Sequence, residues 1–346
     1  MKPVRVLQIA FTYIGTVVGA GFATGQEILQ FFTRYGYWGT ISIGIAMILF
    51  VWLGAKMMLI AAGIGARSYE DLNKHLFGPR FGVWVSYFMM IVLFGVSAVM
   101  LAGGGAIFEE HFGITYQTGL IITMAACYVL LLRGMNAIVT VNSVVVPFML
   151  LFTIILILDT LMTSEADRWV FTADHFSPLS AWASPFLYAA FNLSLAQAVL
   201  VPLGSKINDR RTIIAGACAG GVGIGFMLLV GHIALSTQMP GISQLAIPMG
   251  GIAKQLGPSI QWIYLFLIFA EIFTTLISDV YGLTLQLEER VGLSRQALTG
   301  CILILCFLLS QIGFEVLLST LYPMFGAVSL GWMYLIIRRR HDRPIP

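Results

Sequence analysis

The sequence predicts an all-α integral membrane protein of ten transmembrane helices in two inverted five-helix repeats, with helices 1 and 6 broken. Three observations carry that expectation. The 346-residue chain is 58% hydrophobic and only 10% charged, where soluble domains carry about 25% charged residues. Its basic residues collect on alternate connections between apolar runs. A polar segment ending in Gly-Pro recurs at the same place in each half.

A bilayer core of about 30 Å needs about 20 apolar residues per helix. The runs that qualify are Val6–Phe32, Gly39–Ile64, Val83–Phe108, Tyr116–Leu132, Ile138–Leu161, Ala183–Gly204, Ile213–Thr237, Ser259–Thr284, Gln296–Ile312 and Val316–Ile337. With the N-terminus inside, the inner connections receive all 19 basic residues except Arg34, Arg168 and Lys254, as the positive-inside rule requires. Both termini are then cytoplasmic and the location is the plasma membrane. The first run has no small-residue cleavage site and reads as a retained span. The net charge of +3 follows from this topology and indicates no nucleic acid; the expected partners are the lipid bilayer and a small molecule. The four cysteines lie in apolar runs without metal-ligand spacing and read as buried packing residues.

After the second run comes Ser68 to Pro79, and after the seventh comes Gln244 to Pro258. Each reads as a short helix stopped by Gly-Pro ahead of a long span. Because five is odd, the first lies inside and the second outside. That is the inverted repeat of many secondary transporters, here residues 1–161 and 180–340 of a single transporter domain, 1–346. The polar stretch Met162 to Leu179 joins the halves.

The first run holds Gly15, Gly19, Gly21 and Gly25 within eleven residues, and each glycine weakens a helix by about 1 kcal/mol relative to alanine. Thr24 and Glu27 have capping-box spacing. The helix is expected to stop near Gly19 and restart near Thr24, midway across the bilayer. Irregular backbone survives there only where protein or a watery cavity satisfies it, and its free amides and carbonyls can bind ions or substrate. The repeat asks for a matching break in the sixth run. There Asn192 and Ser194 are residues that bond to their own backbone, with Gln197 and Pro202 beyond them. The eighth run carries Glu271, Thr274, Thr275, Ser278 and Asp279. Positions 271, 274, 275 and 278 share one helical face, and hydroxyl and carbonyl oxygens suit hard cations. Glu27, Glu271 and Asp279 have no lysine or arginine near the middle of any span, so a cation or a proton is left to neutralise them. His232, inside the seventh run, reads as a hydrogen-bonded core residue.

Val18-Gly19-Ala20-Gly21 and Phe191-Asn192-Leu193-Ser194-Leu195 resemble the first and sixth helices of LeuT-fold transporters. The neurotransmitter:sodium symporters carry a similar Phe-Thr-Leu-Ser-Leu in helix six. The stretch Gly15 to Glu27 also resembles the opening of the YkvI family of bacterial membrane proteins. The LeuT-fold resemblance implies a substrate site at Gly19, Ala20, Gly21, Phe22, Thr24, Glu27, Phe191, Asn192, Ser194 and Gln197. The amides of Ala20 and Gly21 would meet a substrate carboxylate, and carbonyls between Phe191 and Ser194 its amine. It also implies a sodium site from the carbonyls of Gly15 and Val18 and the hydroxyls of Thr274 and Thr275, with Glu271 and Ser278 on the same face. Two departures matter. The symporters' tyrosine in mid-helix three is missing from Phe94 to Val99. Helix five, Ile138 to Leu161, lacks the lysine that proton-coupled relatives can place there, which favours sodium, or protonation of a carboxylate instead. The implied function is secondary transport of a small amino acid or related amine by alternating access, with no cofactor beyond the coupling ion. Proton coupling stays open, as does a ligand-sensing receptor of the same fold, like the spore-germination permease-like subunits. No nucleotide loop, metal-ligand cluster or Ser-His-Asp set points to an enzyme.

Overall fold

A computed structural model describes residues 3–162, 178–207, 209–244, 248–312 and 314–338. These form α1 (Pro3–Val17), α2 (Ala20–Thr24), α3 (Gln26–Phe31), α4 (Tyr37–Ile64), α5 (Tyr69–Phe77), α6 (Pro79–Phe112), α7 (Tyr116–Leu131), α8 (Met135–Met162), α9 (Pro178–Ser205), α10 (Arg210–Ser236), α11 (Pro248–Gln255), α12 (Pro258–Val291), α13 (Arg295–Ser310) and α14 (Phe314–Arg338). No strand occurs among the described residues.

Six described helices are long and apolar enough to cross a membrane: Tyr37–Ile64, Pro79–Glu109, Ile138–Met162, Leu179–Ser205, Arg210–Ser236 and Pro258–Glu288. Tyr116–Leu131 and Arg295–Ser310 are shorter apolar helices. At 16 residues each, they run about 24 Å at 1.5 Å per residue. Large apolar side chains such as Phe81, Trp84 and Phe266 stand exposed on the outer surface, where lipid would solvate them. The same holds for Cys301, which is exposed, and Cys218, which is half-buried; only Cys127 and Cys306 are buried as expected.

The two Gly-Pro segments act as the sequence indicates. Ser68 and Asp71 cap α5 reciprocally, with Asp71 Oδ2 accepting from the Arg67 amide at 2.8 Å. Gly78 (φ 84) and Gly257 (φ 109) then turn the chain, and Pro79 and Pro258 open α6 and α12. Proline suits a first helical turn, where no amide donor is needed. Both helices are 34 residues long.

The helices pack in two groups. One is α1, α4, α9 and α10; the other is α6, α7, α12 and α13, with α12 also meeting α1 and α9. Small residues set the close approaches. Gly54 leaves room for the Tyr13 ring, whose hydroxyl donates to the Phe50 carbonyl at 2.8 Å.

The first helix is broken, with a detail the sequence did not show. Gly19 is extended (φ −114, ψ −166) and helix resumes at once with Ala20. A second bend follows at Gly25, φ 86. The expected Thr24–Glu27 capping box does not form. Gly25 caps α3 without a side-chain bond, and the Thr24 hydroxyl donates back to the Gly21 carbonyl at 3.2 Å.

The expected break in helix six is overturned: α9 runs unbroken through Phe191–Ser194. Asn192 Nδ2 donates to the Tyr188 carbonyl at 3.0 Å, and Ser194 Oγ donates to the Phe191 carbonyl at 2.8 Å. The polar groups are satisfied on their own helix without unwinding it. Pro185 cannot donate to the carbonyl four residues back, and Ser42 Oγ of α4 donates to that Ala181 carbonyl at 3.0 Å instead. Most of the Met162–Leu179 connection lies outside the described residues.

Candidate functional site

The break in the first helix is where buried polar groups gather. Helix α1 ends at Val17; the Val18 amide still bonds the Ile14 carbonyl at 2.8 Å, and the carbonyls after it have no following turn of the same helix to bond. The three glycines around the break each leave space that a polar side chain fills. A Cβ on Gly15 would stand 2.6 Å from Cγ of Asn142, which comes from α8. One on Gly19 would stand 3.1 Å from Thr275 Oγ1, from α12. One on Gly21 would stand 2.7 Å from Cδ of Glu27, from α3. Both amide atoms of Asn142, Thr275 Oγ1 and Glu27 Oε2 are buried without a hydrogen-bond partner among the described residues. A buried polar group left unpaired costs about 1–3 kcal/mol. The Asn142 amide, the Thr275 hydroxyl and one oxygen of Glu27 thus stand with unused hydrogen-bonding capacity against one helix break.

The expected cation residues are brought together in part. Thr274 Oγ1 lies 3.4 Å from the Gly15 carbonyl and donates to the Glu271 carbonyl at 2.9 Å. Both carboxylate oxygens of Glu271 are buried, without a hydrogen-bond partner among the described residues. Ser278 donates to the Thr274 carbonyl at 2.8 Å and so is tied to its own helix. Val18 is fully buried beside the break.

The expected substrate residues divide differently. Phe22, Thr24 and Glu27 are buried at the break; of Ala20 the backbone alone is described. On α9, the Phe191 carbonyl is taken by Ser194, whose hydroxyl also meets Ser329 of α14 at 2.9 Å. Gln197 is fully buried, and neither amide atom has a partner among the described residues. The Tyr188 hydroxyl faces the Glu27 carboxylate, and Phe31, Phe32 and Phe50 surround the Tyr188 ring at centroid distances of 5.3, 5.0 and 5.9 Å.

Two residues escaped sequence reasoning. Asn142 is visible in the sequence as an amide in an apolar run, but nothing in its spacing ties it to Gly15. Tyr264 donates its hydroxyl to the Ala23 carbonyl and stacks on Phe152 at 4.7 Å; nothing in the sequence marks it. His232 behaves as expected, bonded between Thr40 at 3.1 Å and Thr33 at 3.2 Å. A surface cavity of about 540 Å³ at the α4–α5 junction, lined by Ile64, Gly65, Arg67, Asp71 and His75, includes none of the break residues.

A second polar cluster ties α5 to α12. Glu70 of α5 accepts from Lys74 at 2.6 Å and from Gln286 and Arg290 of α12. The Arg290 guanidinium lies 4.1 Å over the Tyr87 ring. Burial alone would raise the Glu70 carboxyl. Hydrogen bonds and charges from Lys74 and Arg290 outweigh it and hold the group below the ordinary glutamate value.

No family model matches the chain. It is 40% identical over 339 residues to the membrane protein YkvI of Bacillus subtilis, covering 97% of this chain and 96% of that one. The chain belongs to the YkvI family. It is also 25% identical over 160 residues to the sodium/pantothenate symporter of Haemophilus influenzae, 44% of this chain and 32% of that one. Among solved structures, MhsT in complex with L-phenylalanine matches with TM-score 0.71 at 16% identity, over 96% of this chain and 87% of that one. A substrate-bound, outward-open sodium-coupled sialic acid symporter matches with TM-score 0.71 at 12% identity, over 96% and 79%. This YkvI-family chain therefore has the LeuT fold.

Proposed function

We propose that the protein is a secondary transporter of a small amino acid or related amine, coupled to sodium and working by alternating access. The observation that carries this reading is the set of unpartnered buried polar groups, from three elements, against the break in the first helix. Sodium is bound by the carbonyls of Gly15 and Val18, the hydroxyls of Thr274 and Thr275 and the carboxylate of Glu271, all oxygen ligands suited to a hard cation. The substrate binds beside Gly19, Ala20, Gly21, Phe22 and Thr24, with Gln197, Asn192, Ser194 and Phe191 on the facing α9. Glu27 repels a substrate carboxylate and attracts an amine, and the aromatic rings around Tyr188 favour a cation as well. The fold of sodium-coupled neighbours supports the same reading.

The chain crosses the plasma membrane ten times, with both termini cytoplasmic and residues 1–161 and 180–340 as inverted halves. The distribution of basic residues supports this, as do the equal lengths of α6 and α12, 34 residues, and of α7 and α13, 16 residues.

The test is a thermal-shift screen of purified protein with amino acids and amines, in sodium, potassium or choline. A ligand that binds only the folded state adds about 2.7 kcal/mol at a hundredfold excess over Kd. Sodium should raise the melting temperature where potassium and choline do not, and an amine should raise it further. If sodium has no specific effect, while acid pH stabilises the protein and Glu27→Gln abolishes that, the coupling ion is a proton. Saturable binding without flux in proteoliposomes would make the protein a receptor.

A further inference from the structure

We propose that Asn142 is a ligand of the cation and closes its site from a third helix, α8. This rests on the sodium reading above. Asn142 is completely buried, and neither Nδ2 nor Oδ1 finds a hydrogen-bond partner among the described residues. An isolated buried amide is costly; an apolar side chain would be cheaper there unless the amide meets a ligand.

Its position names that ligand. The amide packs directly on Gly15, where an added Cβ would stand 2.6 Å from Asn142 Cγ and 3.1 Å from Val146 Cγ2. Gly15 must lack a side chain for the amide to come this close. The carbonyl of the same Gly15 lies 3.4 Å from Thr274 Oγ1. Groups from α8, α1 and α12 thus converge on one residue of the last turn before the break. They offer three oxygens there: the Asn142 side-chain carbonyl, a main-chain carbonyl and a hydroxyl; the Asn142 Nδ2, a donor, is no ligand of a cation. An amide oxygen is a hard ligand of the same kind as a main-chain carbonyl. With Asn142 included, the cation is held by both helix groups and by α8, so its release is felt by all three.

The experiment titrates sodium against the melting temperature, at constant ionic strength with choline, for wild type, Asn142→Leu, Asn142→Ser and Asn142→Asp. Fitting the rise of the melting temperature to the logarithm of one plus the ratio of sodium concentration to Kd gives an apparent sodium Kd. Losing a ligand should raise that Kd about tenfold or more in Asn142→Leu, and also in Asn142→Ser, whose hydroxyl is too short to reach. Asn142→Asp adds a negative charge at the same reach and should lower it. A merely structural amide would change the melting temperature equally in sodium and choline and leave the apparent Kd unchanged in every variant; that result overturns the proposal. Should Asn142→Leu fail to fold, the opposite movements of the serine and aspartate variants still decide. A wild type without any sodium-specific shift overturns the sodium reading itself, and this inference with it. A wild-type shift that all three variants retain overturns this inference alone.

Discussion

Glycines 15, 19 and 21 do two things at once: they weaken the helix, and they leave space for Asn142, Thr275 and Glu27. Alanine in a helix is worth about 1 kcal/mol over glycine, whereas forcing a methyl into a filled site costs about 1–3 kcal/mol. Gly15→Ala should therefore be destabilising, by up to about 2 kcal/mol net, since its methyl would meet the Asn142 amide. Gly44, in α4, has nothing within 4 Å of an added Cβ. Gly44→Ala should be stabilising by about 0.5–1 kcal/mol. Thermal unfolding of both variants checks the opposite signs; two shifts of the same sign would contradict the packing argument. At this scale the sequence was partly legible. Thr274, Thr275 and Glu271 announce themselves as polar groups in an apolar helix. Which side chain fills which glycine depends on helices that meet only in three dimensions, so the Asn142–Gly15 contact could not be read from spacing.

The contrast between the two crossing helices belongs to the element scale. The break in the first helix was legible because glycines gather where the chain also needs an extended residue at Gly19. The sixth was misread because its polar residues were weighed by propensity. Asn and Ser cost a helix roughly 0.5 kcal/mol each. Unwinding a buried helix leaves several backbone groups unpaired, at about 1–3 kcal/mol each, so the unbroken helix wins when the side chains can bond to their own turn. Hydrogen exchange read by mass spectrometry should find amides around Phe191–Ser194 protected, and those of Gly19 to Gly21 exchanging faster. Equal protection would contradict the asymmetry. The tie between α5 and α12 makes its own prediction. The Glu70 carboxyl is held below its ordinary value by Lys74 and Arg290. Its contribution is therefore fully present above the ordinary glutamate value, about 4.3, and lost as pH falls through the lowered one. Glu70→Gln should be less stable than wild type by about 1–3 kcal/mol at pH 7, and the difference should close below about pH 4. A difference that does not change with pH would show that packing, not charge, carries the tie.

For the whole molecule, hydropathy and basic-residue placement made the membrane class legible, because the bilayer constrains both strongly, whereas the LeuT fold was legible only through the resemblance of Val18–Gly21 and Phe191–Leu195 to the first and sixth helices of that fold. The two helix groups, α1–α4–α9–α10 and α6–α7–α12–α13, were not legible: apolar faces alone do not say which helices pair in lipid. The break in the first helix sits where α12 meets α1, so an ion bound there would link the two groups and bias their relative movement. That link is the central claim. The most direct measurement is equilibrium binding of radioactive sodium to purified wild type and to the Thr274→Val, Thr275→Val double variant, with choline holding ionic strength constant. The wild type should bind sodium saturably in excess potassium, and the double variant should bind none while melting in choline as the wild type does. No saturable binding to wild type, or undiminished binding to the double variant, would contradict the account.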